Sequence, residues 1–151
     1  MVNIKEQEDL FKIIGSELKK KIECYVIGGS AMMFYGAKEE TKDVDLVFLK
    51  KEELDEIKKV LEKIGFKDKK ELVKIFRRYD DKKNRPVMMV GRNNERIDLF
   101  FKEIITFEMS DSIVKRINET HEFNNLIIKV VSPEDIILLK CATEREKDRF
   151  D

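Results

Sequence analysis

Three aspartates and a glycine turn are the residues of this chain whose types and spacing suit chemistry. Asp43 and Asp45 flank Val44, Asp98 sits inside the run Ile97-Asp98-Leu99-Phe100-Phe101, and Gly28-Gly29-Ser30 follows the apolar stretch Cys24 to Ile27. Side chains of a strand alternate between faces, so Asp43 and Asp45 share one face and Val44 and Leu46 take the other. Two carboxylates about 7 Å apart along a strand repel unless a cation lies between them. A carboxylate buried alone among Ile97, Leu99 and Phe100 would be costly, so Asp98 calls for a basic partner or a metal. If its strand pairs beside the one carrying Asp43 and Asp45, the three form an all-oxygen cradle. Such a cradle suits Mg²⁺, with Mn²⁺ able to substitute, because the ion completes its shell with water and substrate phosphate.

The glycine turn supplies the other half. Two glycines let the backbone come close to a phosphate, and the amides that open the next helix point toward it. Ser30 adds a hydroxyl. Reactions at phosphorus depend on positioning and charge neutralisation, and two metal ions can activate an attacking hydroxyl and steady a departing pyrophosphate. In that arrangement Asp98 binds the activating metal and helps to accept the proton. Together these residues point to nucleotidyl transfer from a triphosphate.

The elements that must position them are legible in outline. Leu10, Ile13, Ile14, Leu18 and Ile22 recur at helical spacing, which predicts a helix over about 5–22. A buried strand over Cys24 to Ile27 runs into the glycines, with Ser30 as cap of a short helix that Gly36 ends. Val44, Leu46 and Phe48 alternate as a second strand. Leu54, Ile57, Val60, Leu61 and Ile64 mark a helix closed by Gly65. Leu72, Ile75, Phe76 and Tyr79 fit a helix, yet the tract is short and flanked by charges, which makes Leu72 to Tyr79 ambiguous. Pro86 to Val90 and Glu95 to Phe101 bracket Gly91-Arg92-Asn93-Asn94 as a hairpin. A helix over Asp111 to Glu119 and a strand over Leu126 to Val131 follow. Ser132-Pro133-Glu134-Asp135 then starts a last helix with a cap, a first-turn proline and acids at its positive end. The hairpin excludes a purely parallel sheet, so the expected class is α+β with a mixed sheet packed against helices.

At 151 residues, 42% apolar and 41% charged, the chain is expected to be one folded domain, 1–151, with a Lys/Glu-rich composition of the kind found in proteins from hot environments. Its formal net charge is zero, which gives no global signal for nucleic acid. Locally, Lys67 to Arg96 carries eleven basic residues against five acids, enough to attract a polyanion or simply to solvate a loop. Cys24 and Cys141 lack disulfide or metal spacing and are expected to be reduced core thiols. No apolar stretch is long enough to span a bilayer and nothing resembles a signal peptide, so no membrane partner and a cytoplasmic location are expected. His121 is expected to be structural, and Met32-Met33, Met88-Met89 and Phe100-Phe101 to pack in the core. Arg96 alternates onto the side of Asp98, either as its ion-pair partner or as a phosphate contact.

The stretch from Tyr25 through Gly28-Gly29-Ser30 to Asp43-Val44-Asp45-Leu46 resembles the signature of the DNA polymerase beta-like nucleotidyltransferase superfamily, most of all its small stand-alone domains from archaea and bacteria. The tail, Ser132-Pro133-Glu134-Asp135 with Lys140 and Arg145-Glu146-Lys147-Asp148, is similar to their closing segment. The resemblance implies transfer of a nucleoside monophosphate to an acceptor hydroxyl of RNA (tRNA ends included), protein or a small molecule. It gives Asp43, Asp45 and Asp98 to metal and catalysis, and Gly28, Gly29 and Ser30 to the nucleotide. Lys140 and Lys147 reach the phosphates in such domains or stand as exposed helix charges, and the role of Asp148 is equally open. Several of these domains belong to toxin–antitoxin systems, and with no obvious extra domain for acceptor recognition, that surface is expected from a partner protein, a homo-oligomer or the basic 67–96 stretch. It also leaves a second reading, a nucleotide-binding antitoxin or regulatory subunit with little turnover. A nucleic-acid binder without chemistry, resting on the basic stretch alone, is a third.

Overall fold

The computed structural model describes residues 1–72, 86–104 and 107–150. In chain order the elements are β1 (Val2–Asn3), α1 (Ile4–Glu17), β2 (Ile22–Ile27), α2 (Gly28–Phe34), β3 (Glu40–Thr41), β4 (Asp43–Phe48) and α3 (Lys51–Lys63). They continue with β5 (Lys67–Asp68), α4 (Lys69–Leu72), β6 (Val87–Val90), β7 (Arg96–Phe101), β8 (Glu103–Ile104) and β9 (Phe107–Glu108). Then come α5 (Asp111–Lys115), β10 (Glu119–Phe123), β11 (Leu126–Val130) and α6 (Pro133–Phe150). Among the described residues, no helix is long and apolar enough to cross a membrane.

Seven strands form one sheet in the order β10-β11-β2-β4-β7-β6-β5. It is mixed: β11 runs parallel to β2 and β4 parallel to β7, while β2/β4 and β6/β7 are antiparallel. The α+β class read from the sequence is the observed one. Val44, Leu46 and Phe48 point to one face of β4 and are almost fully buried, as are Ile97 and Leu99 on β7. The same core takes Phe11 and Ile14 of α1 and Leu54, Ile57 and Leu61 of α3, and these two helices touch each other and the sheet. Helix α2 contacts β2, β4 and α6.

Local chemistry explains where the elements start and stop. Asn3 caps α1 in a reciprocal pair with Glu6: its Oδ1 accepts the Glu6 N–H at 2.9 Å, and Glu6 Oε1 accepts the Asn3 N–H at 3.4 Å. The helix stops at Glu17, shorter than the apolar spacing predicts, because Leu18 turns to extended backbone and Ile22 is the first residue of β2. The helix expected to reach Glu119 stops at Lys115, and Glu119 instead opens β10, which pairs antiparallel with β11. Helix α2 begins at Gly28 with Ile27 in the capping position and no side-chain cap, so Ser30 lies inside the helix. The 86–101 hairpin forms as expected, closed by a Gly91 N–H to Glu95 carbonyl bond of 2.8 Å. Leu72 ends α4, whereas the rest of the ambiguous 72–79 segment and the middle of the basic stretch, residues 73–85, lie outside the described residues.

Two ends are pinned. Arg116, just after α5, donates from Nε and Nη2 to the two oxygens of Asp135 at 2.9 and 2.6 Å, and the Ser132 hydroxyl donates to Asp135 Oδ2 at 2.6 Å. Arg116 holds the Asp135 carboxyl below its usual range, so this buried acid stays ionised at the start of α6. At the other end, α1 lies so near the β10–β11 hairpin that a Cβ on Gly15 would collide with the Phe123 carbonyl oxygen. In an open helix Gly→Ala gains up to about 1 kcal/mol. Here the clash is with backbone, which cannot rotate away, so Gly15→Ala is expected to cost about 3 kcal/mol. A urea midpoint equal to or above wild type would contradict that.

Candidate metal and nucleotide site

Register brings the aspartates together. Strands β4 and β7 are parallel neighbours, with Asp45 opposite Asp98 and Asp43 opposite Arg96. Residues paired across adjacent strands point to the same face, so Asp43, Asp45, Asp98 and Arg96 all emerge on the side away from Val44 and Leu46. Each aspartate offers a carboxylate oxygen, and the three oxygens lie within 4.8 Å of one another. Asp98 is buried; Asp43 and Asp45 are half-buried and form the open edge.

The electrostatics are those of crowded carboxylates. Burial first, then the charges of Asp43 and Asp98, push Asp45 up to about 8, against the pull of Arg96. Burial also raises Asp98, opposed by the hydrogen bonds and charge of Arg96. Arg96 donates from Nε to Asp98 Oδ1 and from Nη2 to Oδ2, each at 2.9 Å. Of the two roles open to Arg96 from sequence, the ion pair is the one formed. The donor set fits a hard divalent cation: oxygen only, already converged, and carrying more negative charge than one guanidinium offsets.

The glycine turn abuts this cluster. Gly28 has φ +60°, a left-handed conformation that favours glycine, and a Cβ there would stand 3.0 Å from Asp45 Oδ2. A Cβ on Gly29 would collide with Thr41 Oγ1 and stand 3.2 Å from Lys38 Nζ. Space therefore requires glycine at 29, and backbone angle requires it at 28. The buried Thr41 hydroxyl donates to the Asp43 carbonyl at 3.0 Å, and the Ser30 hydroxyl reaches the same oxygen at 3.5 Å. These two bonds tie α2 and β3 to the first residue of β4. Ser30 is wholly buried, so in this conformation its hydroxyl braces Asp43 rather than facing solvent.

Sequence reasoning missed Thr41 and Lys38. Their signal was weak: a threonine two residues before Asp43, and one lysine among many. Lys140 is exposed on α6, a helix in contact with α2; Lys147 and Asp148 lie on the same helix, with side chains outside the described residues. Other expectations divide. Cys24 is fully buried and burial pushes its thiol strongly up, but Cys141 is exposed rather than in the core because its helix turns that side outward. Phe100 is buried whereas Phe101, the last residue of β7, is 40% exposed. His121 stacks on Phe34 at 4.6 Å and meets Glu119, a structural place as expected.

No protein of curated function gives a match. A protein of Thermotoga maritima (TM1012), solved by crystallography and provisionally named a nucleotidyltransferase, shares the fold. The TM-score is 0.64 at 14% identity, over 99% of this chain and 91% of that one. A family model described as "nucleotidyl transferase of unknown function" (DUF2204) matches residues 6–151. With that match running almost the full length of the chain and through every element that carries the aspartates, the protein belongs to this nucleotidyltransferase family.

Proposed function

We propose that the chain acts as one nucleotidyltransferase domain that moves a nucleoside monophosphate from a triphosphate to an acceptor hydroxyl. The carrying observation is the convergence of Asp43, Asp45 and Asp98 beside a glycine turn that abuts Asp45. Asp43 and Asp45 would hold two Mg²⁺ ions, with Asp98 a third ligand for the one nearest the acceptor. Bound there, such ions would supply charge neutralisation at the α-phosphorus and would lower the pKa of the acceptor hydroxyl. The rest is done by the chain itself. The backbone of Gly28, Gly29 and Ser30 seats the β and γ phosphates, while the Ser30 hydroxyl stays on the Asp43 carbonyl, and Lys38, with its ammonium over Gly29, adds a positive charge at that seat. Lys140, on the helix beside α2, is a second candidate for that task. The acceptor oxygen forms a bond to the α-phosphorus, the bond to pyrophosphate breaks, and Asp98 helps to take the acceptor proton.

The test is incubation with each labelled triphosphate, Mg²⁺ or Mn²⁺, and total cellular RNA, protein or small-molecule fractions. Label is expected to enter one fraction covalently, with pyrophosphate released. Tight binding of triphosphate with no product in any fraction would replace this function with that of a nucleotide-binding regulatory subunit. No interaction with triphosphate at all would reject both.

A further inference from the structure

Asp98 is already taken. Arg96 closes a two-point contact with it, using Nε and Nη2 on separate oxygens at 2.9 Å each. Nη2 also rests 3.3 Å from Met88 Sδ, and Met88 is the cross-strand neighbour of Asp98 on β6. The two partners are unequally placed: the Asp98 side chain is 5% exposed and that of Arg96 39% exposed. Asp43 and Asp45, by contrast, stand at the half-open edge. A cation approaching from solvent therefore meets Asp43 and Asp45 first, and finds both oxygens of Asp98 engaged.

Resting on the reading of Asp43, Asp45 and Asp98 as metal ligands, we propose that Arg96 is a positioning residue that stands in for the divalent ion on Asp98 and gives Asp98 up when the ion arrives. Three carboxylates this close would scatter if none were neutralised, and a buried Asp98 without a partner would be the most costly of them. Arg96 keeps it aimed at the cluster while the site is empty. A guanidinium and a divalent ion on the same carboxylate repel each other, so loading the ion weakens the Arg96 contact. Arg96 is the partner that can move, because its side chain is far more exposed than that of Asp98, which is almost wholly buried in the sheet face between β4 and β6. Once released, it remains tethered at the site edge beside Asp43, where its planar fork suits a phosphate oxygen pair of the incoming substrate. The exchange makes capture of the third ligand conditional on prior occupation of Asp43 and Asp45.

Arginine Nε–H resonances of ¹⁵N-labelled full-length protein test this directly, with Arg96→Lys identifying the Arg96 signal. Mg²⁺ is titrated while calorimetry on the same sample reports occupancy. As the site fills, the Arg96 Nε–H is expected to shift and its exchange with water to speed up by about tenfold or more, the loss of a charge-assisted contact. Arg96→Met is expected to bind Mg²⁺ about tenfold more tightly than wild type without nucleotide, since the competitor has gone. Arg96→Lys, which keeps a competing charge, should stay near wild type. A filled site with an unmoved Arg96 signal would overturn the exchange while leaving the metal ligands standing, as would weaker Mg²⁺ binding by folded Arg96→Met. Should Arg96→Met fail to fold, the wild-type resonance alone decides. No calorimetric binding of Mg²⁺ or Mn²⁺ would remove the metal reading and the exchange with it.

Discussion

Asp43→Ala is expected to lower nucleotidyl transfer by about a thousandfold or more while leaving the protein folded. Electrostatic groups that act on developing charge are typically worth that much when removed. In the proposed mechanism Asp43 serves both ions, so its loss would touch the acceptor side and the leaving side together. Folding should not suffer, because the deletion relieves repulsion against Asp45 and Asp98. The second readout is thermal. Mg²⁺ at about a hundred times its dissociation constant stabilises a binding protein by about 2.7 kcal/mol. That gain should appear in wild type and vanish in Asp43→Ala. Full transfer activity in a folded, metal-blind variant would defeat the proposed mechanism.

The second large effect is on pH dependence. In the metal-free protein Asp45 titrates at about 8 rather than at 3.8, chiefly through burial and secondarily through Asp43 and Asp98. Between those two values the folded protein keeps a proton that the unfolded chain has released. Linkage then fixes the sign: stability is greatest below about pH 4 and falls as pH rises toward 8, where the loss is complete. A tenfold change in proton affinity corresponds to about 1.4 kcal/mol. Asp45 is only half-buried, so water and salt reduce the full difference, and a decline of about 2–3 kcal/mol is expected. Asp45→Asn carries no titrating group and should be the flatter of the two when urea midpoints are followed from pH 5 to 8.5 in EDTA. Mg²⁺ should flatten wild type as well, since an ion in place of the proton releases about one proton per site at pH 7. Calorimetry in buffers of different ionisation enthalpy counts it. Parallel pH curves for wild type and Asp45→Asn would show that Asp45 does not hold the proton.

Much of this site is readable in the residues alone. The alternation of Asp43 and Asp45 with Val44 and Leu46 is a two-residue period with one hydrophobic face, and that face is fully buried. An acid inside Ile97 to Phe101 is so costly that it signals a partner, and the structure supplies Arg96 at once. Ser132-Pro133-Glu134-Asp135 marks a helix start by local chemistry alone. Elements set by distant contacts are harder. Glu119-Thr120-His121-Glu122-Phe123 has little apolar content and becomes β10 because β11 offers it a ladder. Ser30 does not cap α2 as its residue type suggests, because the helix starts two residues earlier, on Gly28 itself, which is a matter of backbone angle. Gly15 carries no sequence sign of the carbonyl that passes against it.

The parallel pairing of β4 with β7 has a consequence for biogenesis. Parallel neighbours cannot be joined by a tight turn, so everything from α3 to β6 must be laid down before Asp98 can return to Asp45. Closing so distant a contact is entropically slow and comes only with the assembled sheet. A nascent or half-melted chain therefore lacks the trio of carboxylates, and chemistry that needs all three is withheld from it. Topology itself acts as the quality check.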